Sequence, residues 1–219
     1  MPQLFPPRSN TISRVSILAI LILLVAGTGG VVWYTHSTAF TKVGVPIPQP
    51  VPFAHNLHVA ALGLNCRYCH IGVDQSSFAD IPPAETCMSC HSQIATNSPN
   101  LQLVRDSYNK GTPIQWNRVN SLPDYVYFNH QIHVDKGVGC ETCHGRMDKV
   151  TTAVRAKYFY MDTCTECHED PSKYLRPQAN IYDMGYTPSE DQSILGPKLM
   201  KEYNIMSPVQ LNNCSICRR

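Results

Sequence analysis

Charge is scarce in this chain: 16% of its residues are Asp, Glu, Lys or Arg, against about 25% in ordinary soluble domains. Neither sign dominates, with 18 basic and 16 acidic side chains, which excludes a nucleic-acid binder built on bulk positive charge. No G-x-x-x-x-G-K run is present to cradle a nucleotide phosphate. No Ser/His/Asp set and no pair of catalytic carboxylates stands out, and no alternation of strand length appears. Apolar periodicity is weak over most of the chain, so side chains alone are a poor source of a stable core. Something else must fill the interior.

The excess lies in cysteine, histidine and proline, with 10, 9 and 17 copies. All the cysteines fall into C-x-x-C pairs: Cys66/Cys69, Cys87/Cys90, Cys140/Cys143, Cys164/Cys167 and Cys214/Cys217. Four of the pairs are followed at once by His70, His91, His144 and His168. C-x-x-C-H is the attachment signature of c-type haem. The two thiols add across the porphyrin vinyl groups, and the adjacent imidazole reaches the iron as proximal ligand. Structural zinc would use the same residue types, and an extracytoplasmic domain would oxidise the pairs to disulfides. Neither explains why histidine recurs at one fixed offset. The expected cofactor is therefore haem c, five copies with four resting on complete motifs.

Four more histidines occur as Phe53-Ala-His55-Asn-Leu-His58 and Phe128-Asn-His130-Gln-Ile-His133. Histidines at i and i+3 share one side of a helical turn, so each pair can serve two irons packed against it. With His55, His58, His130 and His133 as distal ligands, four haems become six-coordinate. Such irons have no open site, and their chemistry is electron transfer at potentials below those of Met/His haems. Spacing leaves open which distal histidine meets which iron. The segments also form an internal duplication with a period of about 75 residues. Its units run over 53–91 and 128–168, with Gly63 and Gly137 in similar places before the first motif of each.

The fifth pair departs from this pattern, because Cys214-Ser-Ile-Cys217 is followed by Arg218. A guanidinium has no acceptor lone pair and cannot bind iron. Three readings stay open: a haem with ligands from elsewhere (Met184, Met200, Met206 or His36), a disulfide, or a thiol pair facing a partner's cofactor.

At the N-terminal end, residues 15–34 read VSILAILILLVAGTGGVVWY without a formal charge. At about 1.5 Å rise per residue this run crosses a hydrocarbon core of about 30 Å. Arg8 and Arg14 precede it, and Trp33–Tyr34 suit the lipid–water interface. The run exceeds the roughly 7–15 apolar residues of a signal peptide and lacks a clear A-x-A site. It reads as an uncleaved, single-pass anchor in the cell inner membrane, with residues 1–14 in the cytoplasm and the cysteine-rich part on the periplasmic side. Ala26 and Gly30 offer a small-xxx-small face to another helix. The Pro-rich stretch 35–52 is expected to be a semi-rigid spacer.

Residues 53–219 are then expected to form one haem-cored domain, mostly irregular with short α-helices, two of them near Pro99–Tyr108 and Ser189–Tyr203. Tyr125, Tyr127 and Phe128 are candidates to lie on macrocycles. Asp80–Glu85 and Glu166–Asp170 offer acidic surface to a basic electron carrier.

The duplicated F-x-H-x-x-H…C-x-x-C-H…C-x-x-C-H layout resembles the small multihaem cytochromes of the class III and cytochrome c7 type. Together with the anchor, PIPQPVPFAHNLH, WNRVNSLPDYVYFNHQIH at Trp116–His133, GCETCHG at Gly139–Gly145 and the terminal C-x-x-C, it resembles the membrane-anchored pentahaem subunits of bacterial alternative complex III. That resemblance implies an electron-transfer subunit, not catalytic alone, of a quinol-oxidising complex. Its partners would be integral-membrane and iron–sulfur subunits, membrane lipid, and a periplasmic mono-haem cytochrome or copper protein. It also favours a fifth haem, with Arg218 a departure at the usual proximal position. The neighbouring possibility is a single-anchor tetrahaem quinol dehydrogenase feeding a periplasmic reductase.

Overall fold

The computed structural model describes residues 5–218, so residues 1–4 of the expected cytoplasmic segment and Arg219 lie outside the described residues. The chain divides into two units, Met1–Lys42 and Val43–Arg219.

In the first unit, helix α1 spans Ser9–His36, starting earlier than the apolar run because Ser9–Arg14 continue its helical geometry. Its 28 residues extend about 42 Å. None of them is buried, and the best 18-residue window has a mean hydropathy of 2.6. Hydroxyls within it turn back on their own helix: Thr28 Oγ1 donates to the Leu24 carbonyl at 2.8 Å and Thr35 Oγ1 to that of Val31 at 3.0 Å. Such back-bonding satisfies polar groups where no water is at hand. After α1, a single helical turn, α2 (Thr38–Thr41), occupies part of the expected spacer.

The second unit has no strands among the described residues, only three isolated bridges. The expected spacer is in fact built into this unit from Val43 onward. Val43 and Pro46 bridge to Arg155 and Val154, and the amides of Gly44 and Ile47 donate to the Arg155 and Ala153 carbonyls at 2.8 and 3.0 Å. Proline excludes helix and leaves the non-proline amides in extended backbone free to pair. Val51 then drops into a core cluster with Ala84 and Val104.

The rest is a succession of short helices: α3 (Cys66–Cys69), α4 (Ala84–His91), α5 (Gln102–Lys110), α6 (His130–Asp135), α7 (Cys140–His144), α8 (Met161–Glu169), α9 (Gln192–Glu202), α10 (Pro208–Leu211) and α11 (Cys214–Cys217). The expected helices near 99–108 and 189–203 correspond to a 3₁₀ turn with α5 and to α9. Buried apolar side chains are few, nine among the described residues, in three small clusters. That is a thin core for a unit of this length.

Between the second distal histidine and the glycine the two repeat units differ by one residue. Five positions separate His58 from Gly63, and four separate His133 from Gly137. The first unit absorbs the extra residue in a π-helical turn, Asn56–Ala61, where the Leu62 amide reaches the Leu57 carbonyl at 3.0 Å; the second keeps an ordinary α-helix. A π-turn is how a helix accepts an insertion while its ends keep their places. Both glycines then take a left-handed φ, +69° at Gly63 and +84° at Gly137, which ends the turn and starts the chain toward the cysteines.

Candidate functional site

Each cysteine pair sits on its own helical turn. Asn65 caps α3, its side chain accepting from the Arg67 amide at 3.0 Å. Asn213 caps α11 in the same way, accepting from the Ser215 amide at 3.0 Å. The residue after each turn also behaves alike: the His70 amide donates to the Cys66 carbonyl at 2.9 Å and the Arg218 amide to that of Cys214 at 3.0 Å. The fifth pair thus has the backbone of a complete motif. All ten thiols are free of disulfides, and among the described residues no group of three or more His, Cys, Asp or Glu side chains converges as a zinc site would require.

The turns stand in one file. Cys69 lies within the electrostatic reach of Cys87, and Tyr68 and Ser89 share a 2.7 Å hydrogen bond across the same gap. Cys66 and Cys140 lie close enough for their thiols to interact, which holds the Cys66 thiol down. Cys143 neighbours Cys167, whose thiol burial pushes up to about 11, and Cys164 neighbours Cys217. The spatial order of the pairs is therefore 87/90, 66/69, 140/143, 164/167, 214/217, with the first two exchanged relative to the sequence.

Six of the eight histidines meet in three couples, each joining one residue of an F-x-H-x-x-H segment to one of a C-x-x-C-H motif, and His55 lies within electrostatic reach of His70. Ring centroids stand 6.2 Å apart for His58 and His91, 6.4 Å for His130 and His144, and 6.3 Å for His133 and His168. His70 is the charge His55 feels most strongly. Two imidazoles bound on opposite sides of one metal at about 2.0 Å, with ring centroids ~1.2 Å further back, stand roughly 6.3 Å apart. The couples have the spacing that an iron between them requires.

Hydrogen bonding fixes the rings for the same task. Nδ1 is bonded to a backbone carbonyl in His58 (Ala54, 2.9 Å), His70 (Asp80, 2.7 Å), His91 (Ile94, 3.0 Å), His130 (Ser77, 2.9 Å), His133 (Asn129, 2.7 Å) and His168 (Leu211, 3.0 Å). A carbonyl only accepts, so Nδ1 carries the proton and Nε2 keeps its lone pair for a metal. His144 has Asn120 at 3.4 Å instead, and Nδ1 of His55 is buried without a partner. Burial, followed by neighbouring imidazoles, lowers both His55 and His144 to about 4, so both are neutral, as ligation needs. Phe53 stacks on His58 at 4.4 Å and 25°, and Phe128 on His133 at 4.4 Å and 27°. These phenylalanines orient the distal rings. Beside the turns, Leu57, Leu62, Ile71 and Ile132 expose 52–63% of their surface, apolar area of the kind that porphyrin faces cover.

Some contributors were not visible in the sequence. The backbone acceptors at Ser77, Asp80, Ile94 and Leu211 carry no residue-type signal at all. The acidic segment Glu166–Asp170 is largely engaged within the chain, Glu166 by the Tyr174 hydroxyl at 2.9 Å and Asp170 by Lys173 at 3.1 Å. Arg218 lies over the Tyr125 ring at 5.1 Å, and the Tyr127 amide donates to the Cys217 carbonyl at 2.9 Å. Of the other ligand candidates, Met200 is packed against the third core cluster, and His36 turns its Nδ1 back to the Val32 carbonyl at 2.9 Å.

Residues 126–218 match the family described as cytochrome c7 and related cytochrome c. Over 124 residues the chain is 30% identical to the multihaem cytochrome c subunit of menaquinone reductase from Nitratidesulfovibrio vulgaris strain Hildenborough, a stretch covering 56% of this chain and 52% of that protein. The chain thus spans about half the length of the curated relative it matches. It carries a c7-like multihaem cytochrome domain, helical and without strands among the described residues, whose cofactors are c-type haems, and the function of such a domain is electron transfer.

Proposed function

We propose that this chain is the membrane-anchored pentahaem electron relay of a quinol-oxidising complex of the alternative complex III type. The observation that carries the reading is the set of histidine couples at 6.2–6.4 Å, joined to turns that stand in one file. Bound haem c supplies a one-electron iron couple. Cys66, Cys69, Cys87, Cys90, Cys140, Cys143, Cys164 and Cys167 tether four haems, with His70, His91, His144 and His168 as proximal ligands. His55, His58, His130 and His133 are the distal ligands of the same four in that order. These histidines would hold each iron from both sides, which would leave no position for a substrate and confine the haem's chemistry to one-electron transfer. Cys214 and Cys217 tether a fifth haem at one end of the file, on a turn like that of Cys66–Cys69.

The apolar girth of α1 supports an anchor in the inner membrane with the haem domain on its periplasmic side. Its Ala26/Gly30 face suits a partner helix in the same bilayer. The relative's name speaks of menaquinone reduction, whereas quinol oxidation is proposed here; a file of haems conducts either way, and the partner subunits set the direction. Iron–sulfur and integral-membrane subunits would deliver electrons at one end, and a periplasmic cytochrome or copper protein would accept them at the other.

The test is a pyridine haemochrome assay with intact mass on the protein from a host that matures c-type haem. Five haems per chain are expected, and a Cys214→Ala variant with unchanged haem mass would remove the fifth. The isolated subunit should not oxidise a quinol analogue that the assembled complex consumes.

A further inference from the structure

Of the arginines beside the cysteine turns, three that flank complete motifs differ in what offsets their charge. Arg67, inside the first motif, has Asp74 at 3.7 Å, and its side chain is 55% exposed. Arg146, just past His144, is clamped by Asp148 at 2.5 Å with Glu141 at 3.8 Å. Arg176 is buried and has no acid of this chain beside it. It is 8% exposed, and among the described residues no carboxylate stands within ion-pair distance of it. Its Nη1 donates to the Asp183 carbonyl at 3.0 Å, and its guanidinium lies 4.9 Å from the centre of the Tyr186 ring.

This cation is aimed at the middle of the file. The side chain fills the space that a Cβ on Gly139 would need, and Gly139 immediately precedes Cys140. The neighbouring Cys66 and burial push the Cys140 thiol up, and the Arg176 charge, close enough to reach the sulfur, opposes them. Arg176 is held there from the backbone as well, its amide donating to the Gly137 carbonyl at 2.9 Å. A buried charge without an ionic partner is costly to keep, and its field is weakly screened.

We propose that Arg176, a fixed cation without a carboxylate partner from this chain, raises the reduction potential of the haem tethered at Cys140 and Cys143. Reduction adds one electron to the ferric centre and breaks no bond, so a neighbouring positive charge favours the ferrous product. The central member of the file thereby becomes the place where an electron rests between arrival at one end and departure at the other. This inference rests on the haem reading above, which haem mass tests independently of any potential.

The experiment is potentiometry of the full-length holoprotein, following each low-spin signal by electron paramagnetic resonance. In Arg176→Gln, with haem content confirmed, one component should shift to more negative potential while the others stay. Arg176→Lys should retain most of the original value, and Arg67→Gln should move that component little. If Arg176→Gln does not load haem, Tyr186→Glu serves: it leaves the arginine in place and supplies a carboxylate, and the same component should fall. The proposal is overturned if a fully loaded Arg176→Gln or Tyr186→Glu protein keeps every potential, or if lysine shifts the component as far as glutamine does.

Discussion

The two repeat units place their distal histidines almost identically and then hold them differently. Phe53 meets His55 at 4.8 Å and 89°, and Phe128 meets His130 at 4.7 Å and 89°. The stacked partners, His58 and His133, agree as closely. Yet His130 is latched to Ser77 of the first unit through its amide and its ring, whereas His55 has no partner for Nδ1. The first unit docks in return through the Asn56 amide on the Val150 carbonyl at 3.0 Å. The imidazole planes diverge as well, crossing at 63° for His58 and His91 but only 23° for His133 and His168. Duplication has conserved the ligands while the surroundings drifted, and surroundings are what distinguish one bis-imidazole haem from another.

The largest effect should come from breaking the file where the units meet. Replacing Cys140 and Cys143 by alanine is expected to remove one haem and to divide electron flow, so stopped-flow reduction becomes biphasic. The same change at Cys87 and Cys90, at the end of the file, should lower the haem mass equally but leave the remaining reduction monophasic.

Next in size are the apolar clusters that support the two units. Leu199, 3% exposed beside Leu175 and Leu195, should cost ~3 kcal/mol as alanine, by the usual range for buried leucine. Val104, 1% exposed in the cluster at the first unit, should cost about 1–2 kcal/mol because less volume is lost. Thermal melts of the holoprotein check the order, and equal shifts would mean the haems rather than these clusters set stability.

Spectroscopy sharpens the comparison without altering the fold. Near-parallel imidazole planes give a rhombic low-spin signal, and crossed planes one stretched to higher g. The couple His58/His91 should supply the stretched signal, and His130/His144, at 8°, the most rhombic. His58→Met should remove the former and His130→Met the latter while covalent haem remains; a stretched signal surviving His58→Met would show that the planes are assigned wrongly.

The smallest effect is expected from deleting Ala61, exposed in the π-turn. The interval from His58 to the glycine would then match that of the second unit and adopt an α-turn, with full haem content and a stability change of roughly 0.5 kcal/mol. Loss of haem at His58 would mean that the extra residue is needed for ligand placement.

Much of the chemistry was legible in the residues because haem attachment is local. Two thiols and an imidazole must fit one ring, so the motif is written within five consecutive positions, as at Cys66–His70 and Cys140–His144. The Asn65 and Asn213 caps follow from the same short-range logic. The Pro-rich stretch misled for a related reason: proline composition excludes helix, but docking on 153–155 depends on carbonyls from a distant segment, which leave no mark on composition. Likewise, the π-turn could have been suspected from the unequal His-to-Gly intervals, once the repeats were aligned.

By itself, then, the sequence determined the type of cofactor, the four complete C-x-x-C-H motifs, the duplication and a helix apolar enough for lipid, all properties of short stretches of covalent chain. Tertiary structure alone decided that His58 faces His91 and that His55 lies within reach of His70, that the second pair in sequence comes first in the chain of neighbours, and that a buried Arg176 sits against the turn at Cys140. Those outcomes depend on contacts between residues tens of positions apart, such as Ser77 with His130 and Leu211 with His168. A helical turn presents two imidazoles to one side, but only the segments docked around it determine which motif histidine each one meets.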